Sequence, residues 1–321
     1  MDKNRSQKLY FEMLRIRLIE QTISEKYTEN KMRCPVHLSI GQEAIPVGIC
    51  SSLSKKDQIV SAHRSHAHYL AKGGELKSML AEIYGKDAGC AKGRGGSMHL
   101  IDPSVGMIAA VPIVGSSLPI AVGLAWANKL DGNDKVVVVF FGDGAFEEGT
   151  FHESLNFSVL HRLSILFVCE NNDFSVYTPL EDRQYNGRTI LKIAAAHGVE
   201  GIRENGNDVL NVFEISKNAI DFIKEHKKPY FLELLTFRHL EHCGPSNDDH
   251  LGYRKSSYIN EWIKKDPIAG LEQRLIADQI VFKGDIEKIK KDIQSEIITA
   301  FEFAEDSKFP ELHDLIHNVY Y

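Results

Sequence analysis

The chain has 321 residues and a formal net charge of −6, from 38 basic and 44 acidic side chains. With 43% apolar and 26% charged residues it has the composition of a globular protein, which excludes disordered and fibrous classes. It has no basic surplus, so nucleic acid and anionic membranes are not expected as partners. The five cysteines are odd in number and widely spaced, which indicates reduced thiols and a cytoplasmic protein.

The N-terminal segment, residues 1–30, is predicted to be one amphipathic helix. Apolar side chains recur in it at helical spacing, at Leu9, Met13, Ile16, Ile19 and Ile23. The segment also mixes acidic with basic residues and has no uninterrupted apolar stretch. We therefore expect neither a signal peptide nor a transit sequence.

Four short apolar runs predict strands of a parallel sheet. They cover residues 58–62, 136–141, 164–169 and 230–236. Their lack of polar alternation is typical of strands buried on both faces, and none is long enough to cross a bilayer. Each run is followed by polar residues, at His63-Arg64, Gly142-Asp143-Gly144, Asn171-Asn172 and Arg238. Because ligands bind beyond the carboxyl ends of parallel strands, these four ends are expected to converge on one site.

The remaining segments are predicted to pack around this sheet. Residues 116–130 are nearly free of charge, so we expect a helix buried on most sides, in part against another subunit. After residue 252 one apolar stripe predicts a packing helix, with Ile286, Ile289, Ile293, Ile297 and Phe301. We expect a single α/β domain with helices on both faces of the sheet. It comprises the N-terminal helix 1–30, an α/β core 31–252 and a helical extension 253–321.

The strongest chemical signal is Gly142-Asp143-Gly144, followed after 26 residues by Asn171-Asn172. Glycines at a strand end allow a tight turn that brings bare N–H groups against a phosphate. The Asp143 carboxylate and the Asn172 amide oxygen lie at two strand ends and suit Mg²⁺, which prefers oxygen ligands. The pattern therefore predicts a magnesium and phosphate site.

This pattern resembles the thiamine diphosphate signature, and four further segments agree with one family that carries it. They are residues 37–44 (HLSIGQEA), 90–99 (CAKGRGGSMH), 113–115 (IVG) and 238–242 (RHLEH). From about residue 10 to its end, the chain resembles the alpha subunit of two-chain thiamine-diphosphate-dependent 2-oxo acid dehydrogenases. That family includes the first components of pyruvate, branched-chain 2-oxo acid and acetoin dehydrogenases. The resemblance implies the family's parallel-sheet, diphosphate-binding α/β fold.

The same resemblance implies thiamine diphosphate and Mg²⁺ as cofactors. Asp143, Asn172 and the backbone carbonyl of Phe174 would bind the metal. Arg64 and Arg238 would clamp the diphosphate, for which a bidentate guanidinium is well suited.

Five further positions would complete the cofactor site. His63 stands where many family members have tyrosine and would contact the diphosphate. Val114 would support the bent conformation of the cofactor. The backbone N–H groups of the glycine turn, at Gly142, Gly144 and Ala145, would bind phosphate oxygens.

Two histidines, His37 and His242, match active-site histidines of the family. An imidazole near pH 7 can hydrogen-bond a substrate carboxylate or move a proton, so both are predicted to be catalytic. A zinc site among the histidines of residues 63–68 is not favoured, because no fourth ligand is evident and the neighbouring arginine would repel a cation.

The chain departs from the family in two loops. Many members have a phosphorylatable serine after the second histidine, where this chain has Cys243-Gly244-Pro245, so phosphorylation at that position is excluded. The predicted loop 107–112 differs from the glycine-rich form common in pyruvate-specific members, with Pro112 at a usual glycine position. Since this loop is expected to border the substrate pocket, the departure puts specificity for pyruvate in doubt.

The resemblance also implies a partner. The chain has room for the diphosphate-binding half of such an enzyme only, so a beta subunit would supply the glutamate that activates the cofactor, most simply in a heterotetramer of two alpha and two beta chains. The expected reaction is decarboxylation of a 2-oxo acid, or cleavage of an acyloin such as acetoin. The acyl fragment would pass to a lipoyl carrier on an acyltransferase. Two alternatives remain open: a carboligase that transfers the fragment to an aldehyde or ketone, for example in sugar biosynthesis, and a non-catalytic cofactor-binding subunit.

Overall fold

The computed structural model describes residues 2–316; residues 1 and 317–321, at the ends of the predicted N-terminal helix and C-terminal extension, lie outside the described residues. The α-helices are α1 Lys3–Lys26, α2 Ala44–Ser52, α3 His66–Ala71, α4 Leu76–Ile83, α5 Ser117–Leu130, α6 Gly149–Leu160, α7 Leu180–Arg183, α8 Ile190–Ala196, α9 Val209–His226, α10 Ser256–Ile263, α11 Pro267–Ala277 and α12 Lys283–Asp306. The strands are β1 Gln58–Ser61, β2 Met107–Ala110, β3 Val137–Gly142, β4 Ile165–Asn171, β5 Phe174–Ser175, β6 Thr178–Pro179, β7 Glu200–Asn205 and β8 Tyr230–Leu235. Within residues 2–316, no helix combines the length and apolarity that a membrane span requires.

Six of these strands form one parallel sheet in the order β2-β1-β3-β4-β8-β7, which confirms the predicted α/β class. The four predicted apolar runs are its β1, β3, β4 and β8 strands. The sequence analysis did not predict the two edge strands, β2 and β7. β7 is largely exposed and therefore lacks an apolar run, and β2 (MIAA) has a single β-branched residue and two central residues that are only partly buried. The expectation of a loop over 107–112 is therefore wrong for residues 107–110.

The central strands are buried on both faces, as their continuous apolar sequence predicted. Along β3, Val138 and Phe140 face the core cluster that contains α1, α2, α9 and α12. The alternate residues Val137 and Val139 face a second cluster, built with α5, α6 and α8. Because successive side chains of a strand point to opposite faces, both helix layers bury apolar side chains of the same strand.

The two predicted amphipathic helices pack in the first of these layers. All five apolar positions of α1 that define its stripe are fully buried. The stripe of α12 packs the same way, with Ile289 partly buried and its other four members buried. The helices α10, α11 and α12 follow the last strand, as expected for a helical extension. The division at residues 30 and 252 stays a prediction.

Helix α5 differs from its prediction. Leu118, Ala121 and Ala125 pack on the sheet, but Ile120 is 41% exposed and Leu130 is 69% exposed. The expectation of burial on most sides is therefore wrong within this chain, because the sheet covers one face of the helix only. Leu160, at the end of neighbouring α6, is also exposed, so an apolar surface extends across α5 and α6.

The sheet order fixes where a ligand site can form. From β1 the chain continues to β2 on one side, and from β3 it continues to β4 on the other side. Adjacent parallel strands whose connections leave in opposite directions open a crevice at their carboxyl ends. In this chain the crevice lies between the residues that follow β1 and those that follow β3.

Candidate active site

A cavity with about 720 Å³ of empty space, including its open mouth, lies at this crevice. Ten of the predicted site residues line it: His63, Arg64, Val114, Gly142, Asp143, Gly144, Ala145, Asn172, Phe174 and His242. The two others, His37 and Arg238, lie behind this lining. The cavity therefore receives residues that follow five strands, because β2 leads into Val114.

The three predicted metal ligands line the same cavity. Asp143 follows β3 and is 1% exposed, so its carboxylate is an almost fully buried oxygen donor. Asn172 follows β4, where its Oδ1 accepts a hydrogen bond from the Phe174 N–H at 3.2 Å. A carboxylate, an amide oxygen and a nearby backbone carbonyl form the donor set that Mg²⁺ prefers, so these residues fit the metal.

The Asp143 carboxylate already has a cationic partner. Arg183, at the end of α7, contacts Oδ2 of Asp143 and donates a second hydrogen bond to Oε1 of Glu147 at 2.6 Å. Burial raises the pKa of Asp143 above its ordinary value, and the Arg183 guanidinium opposes part of that rise. No sequence pattern pointed to Arg183.

The glycine turn after β3 is open to a ligand. A Cβ added at Gly142 meets no atom within 4 Å, so bare backbone faces free space there. Gly144 is different, since its added Cβ lies 2.7 Å from Oγ of Ser175 in the β5 strand. The short β5-β6 hairpin therefore lies against the turn and covers one side of the cavity. Such a backbone cradle beside a guanidinium fits a diphosphate.

The two predicted diphosphate-binding arginines occupy different positions. Arg64 lines the cavity, and its guanidinium donates to the carbonyl of Leu38 at 2.7 Å and to the carbonyl of His242 at 3.1 Å. Burial and the nearby Arg238 lower the pKa of Arg64 to about 10. These bonds fix the guanidinium beside the cavity.

Arg238 lies one layer deeper. Its guanidinium donates to the carbonyl of Val176 at 3.2 Å and to the hydroxyl of Tyr253 at 3.1 Å. Val176 lines the cavity, so Arg238 supports the cavity wall through the β5-β6 hairpin. Direct contact with a diphosphate requires it to exchange these partners.

Three histidines from distant segments form one cluster. The ring of His37 lies 4.7 Å from that of His63 and 5.3 Å from that of His242, and the latter two rings are 5.2 Å apart. His63 and His242 line the cavity, whereas His37 packs behind them. The structure thus brings both predicted catalytic histidines together, and the His63 ring contacts both of them.

All three imidazoles are neutral at pH 7. Burial, together with Arg64 and Arg238, lowers the pKa of His37 to about 3, and burial and Arg64 do the same for His242. For His63, burial and Arg64 lower the pKa to about 2. The positive charge of the arginines disfavours any further cation, including a transition metal bound by the three rings. A bound anion would be attracted to the same position.

The segment that carries His37 is held rigidly in place. Its backbone pairs with the loop after β8, where Gly244 N–H donates to the Val36 carbonyl at 2.9 Å and His239 N–H donates to the Ile40 carbonyl at 3.0 Å. Gly41 has a φ of +98° and packs directly against the carbonyl of Phe237. The segment therefore places Gln42 in the cavity lining and His37 directly behind it.

Gly41→Ala is expected to lower the free energy of unfolding by about 3 kcal/mol, because a Cβ would lie 2.5 Å from the Phe237 carbonyl oxygen in strained backbone. Gly132→Ala is the matched control, since its φ is +68° and its added Cβ meets no atom within 4 Å. The control is expected to cost about 1 kcal/mol, from backbone strain alone. Chemical denaturation of the two variants measures the difference, and equal losses would contradict it.

Sequence reasoning missed several lining residues. Gln42, Glu170, Ser175 and Val176 all line the cavity. Gln42 is buried with no hydrogen-bond partner for its Oε1. The positions of Gln42 in the HLSIGQEA segment and of Glu170 directly before Asn171 were available signals. The hairpin residues carry none, because a two-residue strand has no readable periodicity.

The other two histidines near β1, His66 and His68, have buried polar partners. His66 is fully buried, with Nδ1 at 3.1 Å from Glu20 Oε1 and Nε2 at 2.6 Å from Ser97 Oγ. His68 lies 3.2 Å from Glu170 Oε1. Both rings connect α3 to the core.

Comparisons with known proteins agree with this arrangement. The family model described as the dehydrogenase E1 component matches residues 11–313. The chain is 36% identical over 312 residues to the alpha subunit of acetoin:2,6-dichlorophenolindophenol oxidoreductase from Bacillus subtilis, covering 97% of this chain and 92% of the relative.

Two pyruvate dehydrogenase relatives match over a similar span. The chain is 31% identical over 313 residues to the pyruvate dehydrogenase E1 component subunit alpha of Rickettsia bellii, covering 98% of this chain and 95% of the relative. It is 33% identical over 324 residues to the chloroplastic subunit alpha-3 of Arabidopsis thaliana, covering 99% of this chain and 75% of the relative. From the parallel sheet, the cavity at its switch point and these matches, we conclude that the chain belongs to the dehydrogenase E1 component family.

Proposed function

We propose that this chain is the alpha subunit of a thiamine-diphosphate-dependent dehydrogenase that cleaves a 2-oxo acid or an acyloin such as acetoin. The observation that carries the proposal is the set of oxygen donors at Asp143, Asn172 and Phe174 beside Arg64 in one cavity. The relatives support both substrate classes, since one is named for acetoin and two for pyruvate.

The chain's own residues would hold the cofactor at its charged end. Asp143, Asn172 and the Phe174 carbonyl bind Mg²⁺, which in turn binds the diphosphate. Arg64 and the backbone N–H groups from Gly142 to Ala145 neutralise and orient the phosphate oxygens. The chemistry supplied by bound thiamine diphosphate is a carbon nucleophile and an electron sink for C–C cleavage beside a carbonyl.

The histidine cluster would act on the substrate. His242 lines the cavity and, being neutral, can donate one hydrogen bond and accept a proton at its second ring nitrogen. His37 contacts both His63 and His242 and has an unpartnered Nδ1, so it can orient the pair and share a proton with it. His63 adds a third donor at the position nearest the strand end. In this neutral state the three rings would hydrogen-bond the substrate and accept a proton from it.

His242→Ala is expected to lower kcat about 100-fold and to leave the affinity for thiamine diphosphate nearly unchanged, because His242 would interact mainly with the transition state. His37→Ala is expected to lower kcat less and to raise KM more if its imidazole meets the substrate carboxylate. Steady-state kinetics beside cofactor titrations at fixed Mg²⁺ measure both effects.

His152→Ala is the control for these variants, since its imidazole lies on α6, 3.0 Å from His197 and outside the cavity. It is expected to keep the wild-type kcat. An unchanged kcat in the His242 variant would remove His242 from the mechanism.

A beta subunit is the proposed partner, because the relatives are named alpha subunits. Both carboxylates that line the cavity are already engaged, Asp143 with Arg183 and Glu170 with His68. This supports a glutamate from the beta subunit as the group that activates the cofactor. The same proposal includes a heterotetramer and the transfer of the acyl fragment to a lipoyl acyltransferase. It also includes a cytoplasmic location, which the five free cysteines support.

The test is an assay of the chain co-expressed with its beta partner. A panel of 2-oxo acids and acetoin is offered with a dye acceptor, and in parallel with aldehydes. Reduction of the dye with release of CO₂ or of an acyl product supports the dehydrogenase. Ligation to an aldehyde without dye reduction would instead identify a carboligase. Cofactor binding without turnover of any substrate would identify a non-catalytic subunit.

A further inference from the structure

The ion pair between Arg183 and Asp143 engages the carboxylate that the proposed function assigns to a metal. The Arg183 side chain is 9% exposed, and the Asp143 side chain is 1% exposed. The guanidinium is held by three groups: it contacts Asp143, donates to Glu147 at 2.6 Å and donates to the Thr178 carbonyl at 3.1 Å. This is a defined side-chain position and not a loose surface contact.

The carboxylate needs a cation wherever the metal is absent. An ionised group buried in this way loses its hydration, and an unpaired buried carboxylate is strongly unfavourable. Within residues 2–316, Arg183 is the cationic side chain that forms an ion pair with Asp143. The arginine therefore stabilises the cofactor-free protein at the point where the charge of a metal would do so.

We propose that Arg183 is an internal counter-ion that Mg²⁺ must displace from Asp143, so that it sets the affinity of the protein for the metal. The proposal rests on the proposed function, in which Asp143 is a metal ligand. A divalent cation and a guanidinium on the same buried carboxylate repel each other strongly, because the surroundings screen charge poorly. The two cations therefore compete for one carboxylate.

The displaced arginine has a second carboxylate within reach. Glu147 already accepts a hydrogen bond from Nη1 of Arg183, and it is 28% exposed, so solvent can share its charge. Gln184, the next residue, also donates to Glu147 at 2.9 Å. Arg183 can therefore leave Asp143 by a side-chain movement, while the β5 strand stays against the glycine turn.

The alternative role for Arg183 is a clamp on the bound diphosphate. The two roles predict opposite signs. If Arg183 competes with the metal, its removal tightens metal binding; if it holds the phosphate, its removal weakens the binding of metal and cofactor together.

The experiment titrates the complex of the chain and its beta partner with Mn²⁺, followed by electron paramagnetic resonance, with and without thiamine diphosphate. Arg183→Gln is expected to bind Mn²⁺ about tenfold more tightly than wild type, which corresponds to an ion pair closed in about nine of ten cofactor-free molecules. Arg183→Lys keeps the charge but loses the guanidinium geometry, so its affinity for Mn²⁺ is expected to lie between those of wild type and Arg183→Gln. Arg188→Gln is the control, since Arg188 lies in the same segment over the Phe146 ring; its affinity is expected to equal wild type.

Thermal unfolding gives a second measurement that is independent of turnover. Without metal, Arg183→Gln is expected to unfold at a lower temperature than wild type, and added Mn²⁺ is expected to raise its unfolding temperature by more than it raises that of wild type. Unchanged or weaker Mn²⁺ binding in both Arg183 variants would overturn the proposal. Asp143→Asn separates this outcome from a failure of the proposed function: if it binds Mn²⁺ as wild type does, Asp143 is not a metal ligand at all.

Discussion

Asp143→Asn is expected to weaken the binding of thiamine diphosphate in the presence of Mg²⁺ at least about 100-fold, or about 2.7 kcal/mol. Asp143 is the only charged group among the three expected metal ligands, and Asn172 and the Phe174 carbonyl are neutral. Without its charge the metal is held by dipoles alone and no longer offsets the charge of the diphosphate. Calorimetric titration of the complex with its beta partner measures the loss.

Asp173→Asn is the matched control for this variant. Asp173 follows Asn172 directly, but its carboxylate accepts a hydrogen bond from the Tyr258 hydroxyl at 3.3 Å and does not line the cavity. Its φ of +71° is also one that asparagine adopts readily. Cofactor affinity equal to wild type is expected for the control. Equal affinity in the Asp143 variant would reject the metal assignment and with it the proposed cofactor site.

The purified chain alone is expected to have no measurable turnover, and activity is expected to appear when the beta partner is added. Val114, which lines the cavity, is 48% exposed, and Ile113 beside it is 73% exposed. Large exposed apolar patches of this kind mark interaction surfaces. Turnover by the chain without another subunit would contradict the two-chain proposal.

The apolar surface across α5 and α6 gives a sharper form of this test. Leu160, at the end of α6, is 72% exposed, and Phe157, one turn before it, is 38% exposed. Leu160→Glu is expected to leave the chain folded and to prevent stable association, because a charge would be desolvated at the interface. Ile298→Glu, at a 50% exposed position on α12, is the control and is expected to assemble normally. Gel filtration with light scattering measures both.

The sequence alone was enough to predict the central strands and the polar residues at their carboxyl ends. Residues 136–141 are apolar at every position, and burial on both faces by two helix layers is the only environment that suits such a strand. Because these strands are parallel in the sheet, their carboxyl ends lie at one edge, which brings Arg64, Asp143 and Asn172 to one cavity. The apolar stripes of α1 and α12 could also be predicted, because the periodicity of buried residues along a helix is a local property of the sequence.

The tertiary structure decided what local patterns do not encode. The edge strand β7 is exposed, so its sequence has no apolar run that would predict a strand. The burial of the outer face of α5 depends on whether another subunit covers it. The contact of His37 with His63 and His242 joins three segments that are far apart in sequence. The pairing of Arg183 with Asp143 depends on how a short hairpin folds back over the glycine turn. Residue type and spacing specify which side chains reach a strand end. The partner of a buried charge is determined by tertiary packing, because packing fixes the distance between the two groups and their exposure to water.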